Sequence, residues 1–130
     1  MTHSHPPMAR DIPLQDGELL FYEQLDLPQA GLLEELVTDT AWSHESITLF
    51  GRTVPQPRLI AYHGDAGAAY TYSGKRHEPL PWTPRLAELR RRVEDLAEAP
   101  FNSGLLNNYR DGNDSRGLHA DDEPELGRNP

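Results

Sequence analysis

The sequence predicts an α+β domain with a mainly antiparallel sheet. Two apolar stripes at helical spacing stand among about five short extended runs, and turn residues separate nearly every pair of them. The 130 residues suit one domain. Only 36% of them are hydrophobic and 12 are proline, so the core does not extend through the whole chain. Residues 1–16 carry prolines without periodicity and read as a disordered tail, which leaves 17–130 as the domain. His3 and His5 lie in that tail and are read as solvated.

The elements follow in order. Leu19–Tyr22 reads as a short strand. Pro28 suits a helix start, with Leu32, Leu33, Leu36 and Val37 on one stripe. Ser46–Phe50 is β-branched and aromatic, ends at the turn signal Gly51-Arg52, and is followed by a second extended run, Arg58–Tyr62; the two suggest a hairpin or neighbouring strands. Tyr70 and Tyr72 alternate with small polar residues, which places both rings on one strand face. Thr83 can cap a helix with Pro84 at its first position, and Leu86, Leu89, Val93 and Leu96 then recur at helical spacing, with Arg85, Arg90, Arg91 and Glu94 facing outward. Pro100 ends that helix, and Gly104–Tyr109 enters the turn-rich Asp111–Ser115 as a strand.

Composition removes several function classes. The chain has no cysteine, so disulfides, thiolate metal sites and cysteine nucleophiles are excluded. No apolar run approaches about 18 residues and no basic-then-apolar leader is present, so no membrane span is expected and a cytoplasmic location is. With 12 Lys and Arg against 21 Asp and Glu, the net charge of −9 repels phosphate at long range, and a nucleic-acid role requires a local basic surface.

The densest set of ligand-type side chains is Gly117-Leu-His-Ala-Asp-Asp-Glu123. In an extended segment His119 and Asp121 share a face, where one cation can take both; with a further distant histidine they form the facial set used for non-haem Fe(II). Taken alone the spacing is a weak signal, since His-x-Asp recurs by chance and a surface acidic loop is the plainer account of it.

The wider context resolves more. Asn107 through Gly127, together with Pro57-Arg58-Leu59, Tyr62-His-Gly-Asp65, Tyr70-Thr-Tyr-Ser-Gly74, Pro81-Trp82-Thr-Pro84 and Phe101-Asn102, resembles in order and spacing the AlkB family of Fe(II)/2-oxoglutarate-dependent dioxygenases, which repair alkylated nucleobases; the eukaryotic DNA-repair homologues and their bacterial relatives are the nearest in pattern. The resemblance runs from about Leu19 onward. It implies the N-terminal portion of a double-stranded β-helix, or jelly-roll, with two flanking helices. It implies His119 and Asp121 as the first two iron ligands and Asn107 and Tyr109 as hydrogen-bonding partners of 2-oxoglutarate. Tyr70, Tyr72 and Ser73 match the wall of the base pocket, where an aromatic face stacks on an extruded base, and Glu123 matches an acidic residue beside that base. Phe50, with Gly51 and Arg52, resembles a hairpin tip that wedges into the base stack; Phe50 as a core residue fits the composition equally well. Arg52, Arg58, Lys75 and Arg76 are the candidates for the local positive surface.

The family pattern also needs a second histidine and a 2-oxoglutarate-binding arginine downstream of His-x-Asp. His44, His63 and His77 precede the motif and do not match that position, and Arg116 and Leu118 depart from the residues usual beside it. The expectation is therefore a truncated domain that is inactive by itself. Either it represents an oxidative dealkylase acting on alkylated DNA or RNA, or it is a non-catalytic remnant that binds nucleic acid or protein, or one half of a split enzyme completed by another chain.

Overall fold

The computed structural model describes residues 8–27, 29–72, 74–121 and 124–126, with the backbone alone at Tyr72. Pro28, Ser73 and Glu123, and with them two of the base-pocket assignments, lie outside the described residues, as do His3 and His5; the helix expected from Pro28 begins only at Leu32, after Gly31 in a left-handed conformation. Contacts divide the chain into two units, Met1–Ala30 and Gly31–Pro130.

In the first unit β1 (Ala9–Asp11) pairs antiparallel with β2 (Leu20–Tyr22), Ala9 opposite Tyr22. The Arg10 guanidinium lies over the Phe21 ring, 5.3 Å from its centroid. The strand at Leu19–Tyr22 thus has its partner inside the stretch read from sequence as a tail.

The second unit opens with α1 (Leu32–Asp39), whose Glu34 and Glu35 sit in the first turn, where the helix dipole favours carboxylates. Leu32 and Leu36 are half-buried, whereas Leu33 and Val37 of the same apolar stripe are exposed. β3 (Ser46–Leu49) and β4 (Arg52–Pro55) form a hairpin with Leu49 opposite Arg52. Its two turn residues, Phe50 (φ 49°) and Gly51 (φ 75°), are both left-handed, as the two-residue turn that matches strand twist demands. The partner of Ser46–Leu49 is therefore Arg52–Pro55, not the Arg58–Tyr62 run.

That later run is β5 (Leu59–Gly64). It pairs antiparallel with β8 (Ser103–Asn108), Leu59 opposite Asn108 and Gly64 opposite Ser103. Here the core is densest: Ile60, Ala61 and His63 are buried, with Leu86 of α2. Gly64 is required by close approach, since a Cβ there would lie 2.8 Å from the Asn102 carbonyl oxygen. β6 (Tyr70–Tyr72) and β7 (Lys75–His77) form another antiparallel pair, the tyrosine hairpin, with Tyr70 opposite His77.

α2 (Pro84–Ala97) follows the sequence reading at its start: Thr83 Oγ1 accepts from the Leu86 amide at 3.2 Å and Pro84 occupies the first turn. Two expectations for its faces change. Val93, read as core, is exposed. Arg85 and Arg90, read as solvated, are tied down: Arg85 bridges Glu35 at 2.9 Å and Glu88 at 3.0 Å, and Arg90 reaches Asp65 at 3.0 Å while stacking 4.9 Å from the Trp82 ring. Long basic side chains on an amphipathic helix cover neighbouring apolar surface and find carboxylates at its edge. The described residues therefore make a mixed α and β fold of two helices and antiparallel two-stranded sheets. No described helix is long and apolar enough to cross a membrane.

Candidate metal and nucleobase site

The segment after β8 is built on carboxylate bonds. Asp114 accepts from the Arg110 amide and Nε, each at 2.8 Å, and from Nη2 at 3.0 Å, and this grip of Arg110 lowers the Asp114 carboxyl to about 2. Asp111 Oδ1 accepts from the Asn113 amide at 2.8 Å, and the Ser115 amide donates to the Pro57 carbonyl at 2.9 Å. The loop is thereby anchored to the entry of β5.

Beyond the anchor, residues 119–121 are irregular rather than a strand, yet His119 Nε2 and Asp121 Oδ1 stand 3.4 Å apart. His119 Nδ1 lies 3.0 Å from the Gly117 carbonyl and 3.2 Å from Arg116 Nε; the first contact calls for a proton on Nδ1 and the second for its lone pair. Arg116 Nε also lies 3.1 Å from Nε2, so the imidazole already faces a cationic donor. Two donors bound to one divalent ion at about 2.1 Å and at right angles stand roughly 3 Å apart, so this pair fits a single metal ion. Among the described residues no third His, Cys, Asp or Glu joins it. The other described histidines are engaged elsewhere: His44 Nε2 with the Gln56 carbonyl at 2.8 Å, His63 Nδ1 with the Pro81 carbonyl at 2.8 Å, and His77 Nε2 with Glu45 at 2.8 Å.

Asp121 lines a cavity of about 800 Å³ together with Arg116, Tyr62, Tyr70, Arg58 and Leu105. Pairing and pleat put Ile60, Tyr62, Leu105 and Asn107 on one face of the β5–β8 ladder, so Asn107 shares the cavity face, one step farther along β8 than Leu105. Asn107 and Tyr109 are exposed and do not line the cavity. Tyr70 meets Tyr62 edge-on, ring centroids 4.6 Å apart at 71°, and the Tyr62 hydroxyl donates to the Ala68 carbonyl. Glu125 Oε1 accepts from the Thr71 amide at 3.2 Å, which draws the chain beyond the motif to the tyrosine strand.

The remaining expectations divide. Phe50 is 105% exposed, so its reading as a core residue is excluded and its ring stands alone at a hairpin tip beside the exposed Arg52. The anticipated positive surface is smaller than the sequence suggests. Lys75 pairs with Glu45 at 3.3 Å and Arg76 with Glu78 at 2.7 Å, while Arg58 is only 6% exposed. Arg58 Nε and Gln56 Oε1 are both buried without a partner among the described residues. Alternation with Ile60 and Tyr62 marks Arg58 as facing the same side, and that was the available signal for it. At the cavity rim Asp65 accepts from Trp82 Nε1 at 2.9 Å and from Arg90, and both bonds lower its carboxyl despite desolvation.

Comparison with known proteins fits these features. A sequence profile described as the 2OG-Fe(II) oxygenase superfamily matches residues 25–130. The mouse protein named alpha-ketoglutarate-dependent dioxygenase alkB homolog 3 is 44% identical over 108 residues, covering 82% of this chain and 37% of that protein. Its human counterpart is 43% identical over 100 residues, 76% of this chain and 34% of that protein. Human DNA oxidative demethylase ALKBH2 is 44% identical over 80 residues, 62% of this chain and 31% of its own length. The chain thus spans about a third of the length of these curated relatives. The profile match, the identities and the paired His119 and Asp121 together place this chain in the AlkB family of the 2OG-Fe(II) oxygenase superfamily.

Proposed function

We propose that this chain forms the part of an oxidative nucleic-acid dealkylase that offers the first two iron ligands and the base-handling hairpins. His119 Nε2 and Asp121 hold Fe(II), and Asn107 and Tyr109 hydrogen-bond 2-oxoglutarate from the adjoining strand face. Tyr70 and Tyr72, with Ser73 and Glu123, form the wall against which an extruded alkylated base of DNA or RNA stacks. Phe50 fills the gap the base leaves, and Arg52 beside it meets phosphate. Iron and 2-oxoglutarate supply with oxygen the oxidising equivalent that hydroxylates an N-alkyl carbon, the alkyl group then leaving as an aldehyde. The jelly-roll that encloses such a centre needs more strands than the described residues carry.

The convergence of His119 Nε2 on Asp121 at 3.4 Å supports this reading above all else. Titration of the purified chain with Mn(II), followed by electron paramagnetic resonance, tests it. Binding is expected to be weak, because two protein ligands hold the ion, and to be lost in His119→Ala. Equal binding by His119→Ala overturns the assignment. The two-ligand set also favours a second reading, in which these 130 residues by themselves turn over no 2-oxoglutarate and act as a binding module or are completed by another chain. Fe(II)-dependent succinate formation by the purified chain alone excludes that second reading.

A further inference from the structure

At the tyrosine hairpin, the Glu45 carboxylate and the His77 imidazole meet at 2.8 Å, Oε2 to Nε2, with side chains 12% and 7% exposed. The His77 ring lies against Tyr70, centroids 4.9 Å apart and planes within 19°. Tyr70 in turn meets Tyr62 edge-on, and both tyrosines line the cavity that Asp121 faces. One run of contacts therefore leads from Glu45 through His77 and Tyr70 to the cavity wall.

Glu45 is itself fixed. It immediately precedes β3, and its carbonyl accepts from the Gln56 amide at 2.8 Å, the closing bond at the base of the Phe50 hairpin. Its second carboxylate oxygen takes Lys75 Nζ at 3.3 Å, so both oxygens hold β7. The terminal torsion of a histidine is broad, and stacking alone leaves the ring free to slide. A directional bond from Nε2 removes that freedom. Stability alone does not account for the arrangement, because His77 Nδ1 stays buried without a partner among the described residues, a cost that an apolar side chain stacked on Tyr70 avoids.

We infer that Glu45 and His77 are positioning residues: the pair sets the plane of Tyr70 at the cavity wall and ties the tyrosine hairpin to the base of the Phe50 hairpin, so that the two aromatic elements keep one mutual placement. The consequence for base handling rests on the function proposed above. The clamp itself does not.

The test uses the full 130-residue chain and four variants, Glu45→Ala, Glu45→Gln, Tyr70→Ala and the double variant Glu45→Ala/Tyr70→Ala. Two readouts apply: the Tyr70 ring resonances by NMR, and the fluorescence anisotropy of a single-stranded oligodeoxynucleotide carrying one 1-methyladenine. Glu45→Ala is expected to move the Tyr70 resonances towards random-coil positions and to weaken oligonucleotide binding about tenfold, the scale of one base stacked on one ring. Glu45→Gln, whose amide oxygen still accepts from Nε2, restores both, and the double variant binds no more weakly than Tyr70→Ala. Unmoved Tyr70 resonances in Glu45→Ala overturn the inference, as does a Glu45→Gln variant that behaves like Glu45→Ala. If Glu45→Ala fails to fold, His77→Phe keeps the stack and removes the directional bond, and the same resonances decide. Shifted resonances in Glu45→Ala with unchanged oligonucleotide binding by Tyr70→Ala uphold the clamp and overturn the nucleobase reading instead.

Discussion

Arg116 shows how one side chain bears on the metal pair. Its Nε lies 3.1 Å from His119 Nε2, the nitrogen proposed to hold the ion, where a divalent ion must bring its own positive charge. Arg116→Ile is expected to raise Mn(II) affinity at least fivefold, because even two exposed unit charges about 4 Å apart interact by roughly 1 kcal/mol and the ion carries two. Isothermal titration at low salt checks this, and an unchanged or lower affinity shows that the guanidinium does not oppose the ion. Phe50 is the second residue whose placement carries a consequence. A large aromatic side chain at φ 49° is strained, whereas Asn adopts that region readily. Phe50→Asn is therefore expected to stabilise the hairpin by about 1 kcal/mol while weakening oligonucleotide binding, an opposition that thermal melting and anisotropy on the same samples reveal. A loss in both, or in neither, removes the wedge role.

Among the elements, the β5–β8 ladder positions the cavity face, and Gly64 marks its tightest point. A Cβ there meets the Asn102 carbonyl oxygen at 2.8 Å and Ser103 Cβ at 2.9 Å, and backbone cannot swing aside as a side-chain tip can. Gly64→Ala is expected to destabilise the chain by about 2 kcal/mol, read as a lower urea midpoint with an unchanged slope. α2 was legible from sequence because its signals are local: Thr83 caps, Pro84 fits the first turn, and Leu86 is buried as the stripe requires. β4 and β7 were not read, since Arg52–Pro55 and Lys75–His77 show no apolar alternation. They become strands by pairing with β3 and β6, β4 doing so across the turn at Phe50-Gly51. The Ser-Gly dipeptide after Tyr72 was the overlooked signal for β7.

Across the whole molecule, carboxylates dominate a chain of net charge −9, and several are held below their ordinary values. Burial raises the Glu45 carboxyl, but the His77 bond, with Lys75 adding to it, outweighs burial and leaves it lowered from 4.5. Asp114 falls from 3.8 to about 2 through Arg110. A carboxyl whose folded value lies below its unfolded one contributes stability above the unfolded value and loses it as pH falls through the folded value. The urea midpoint is accordingly expected to drop as pH falls below about 4.5 and to go on dropping towards pH 2, with Asp114→Asn flattening the lowest part of the curve. Sequence by itself determined the family pattern, the two helices and the His119-x-Asp121 spacing, because each depends on residues close together in the chain. Only the tertiary structure decided that Arg58 is buried instead of free at the surface, that Ile60 pairs with Asn107, and that Glu45 reaches His77. Those outcomes depend on strands far apart in sequence coming into register, and the energy of such pairing lies in contacts that no local run of residues encodes.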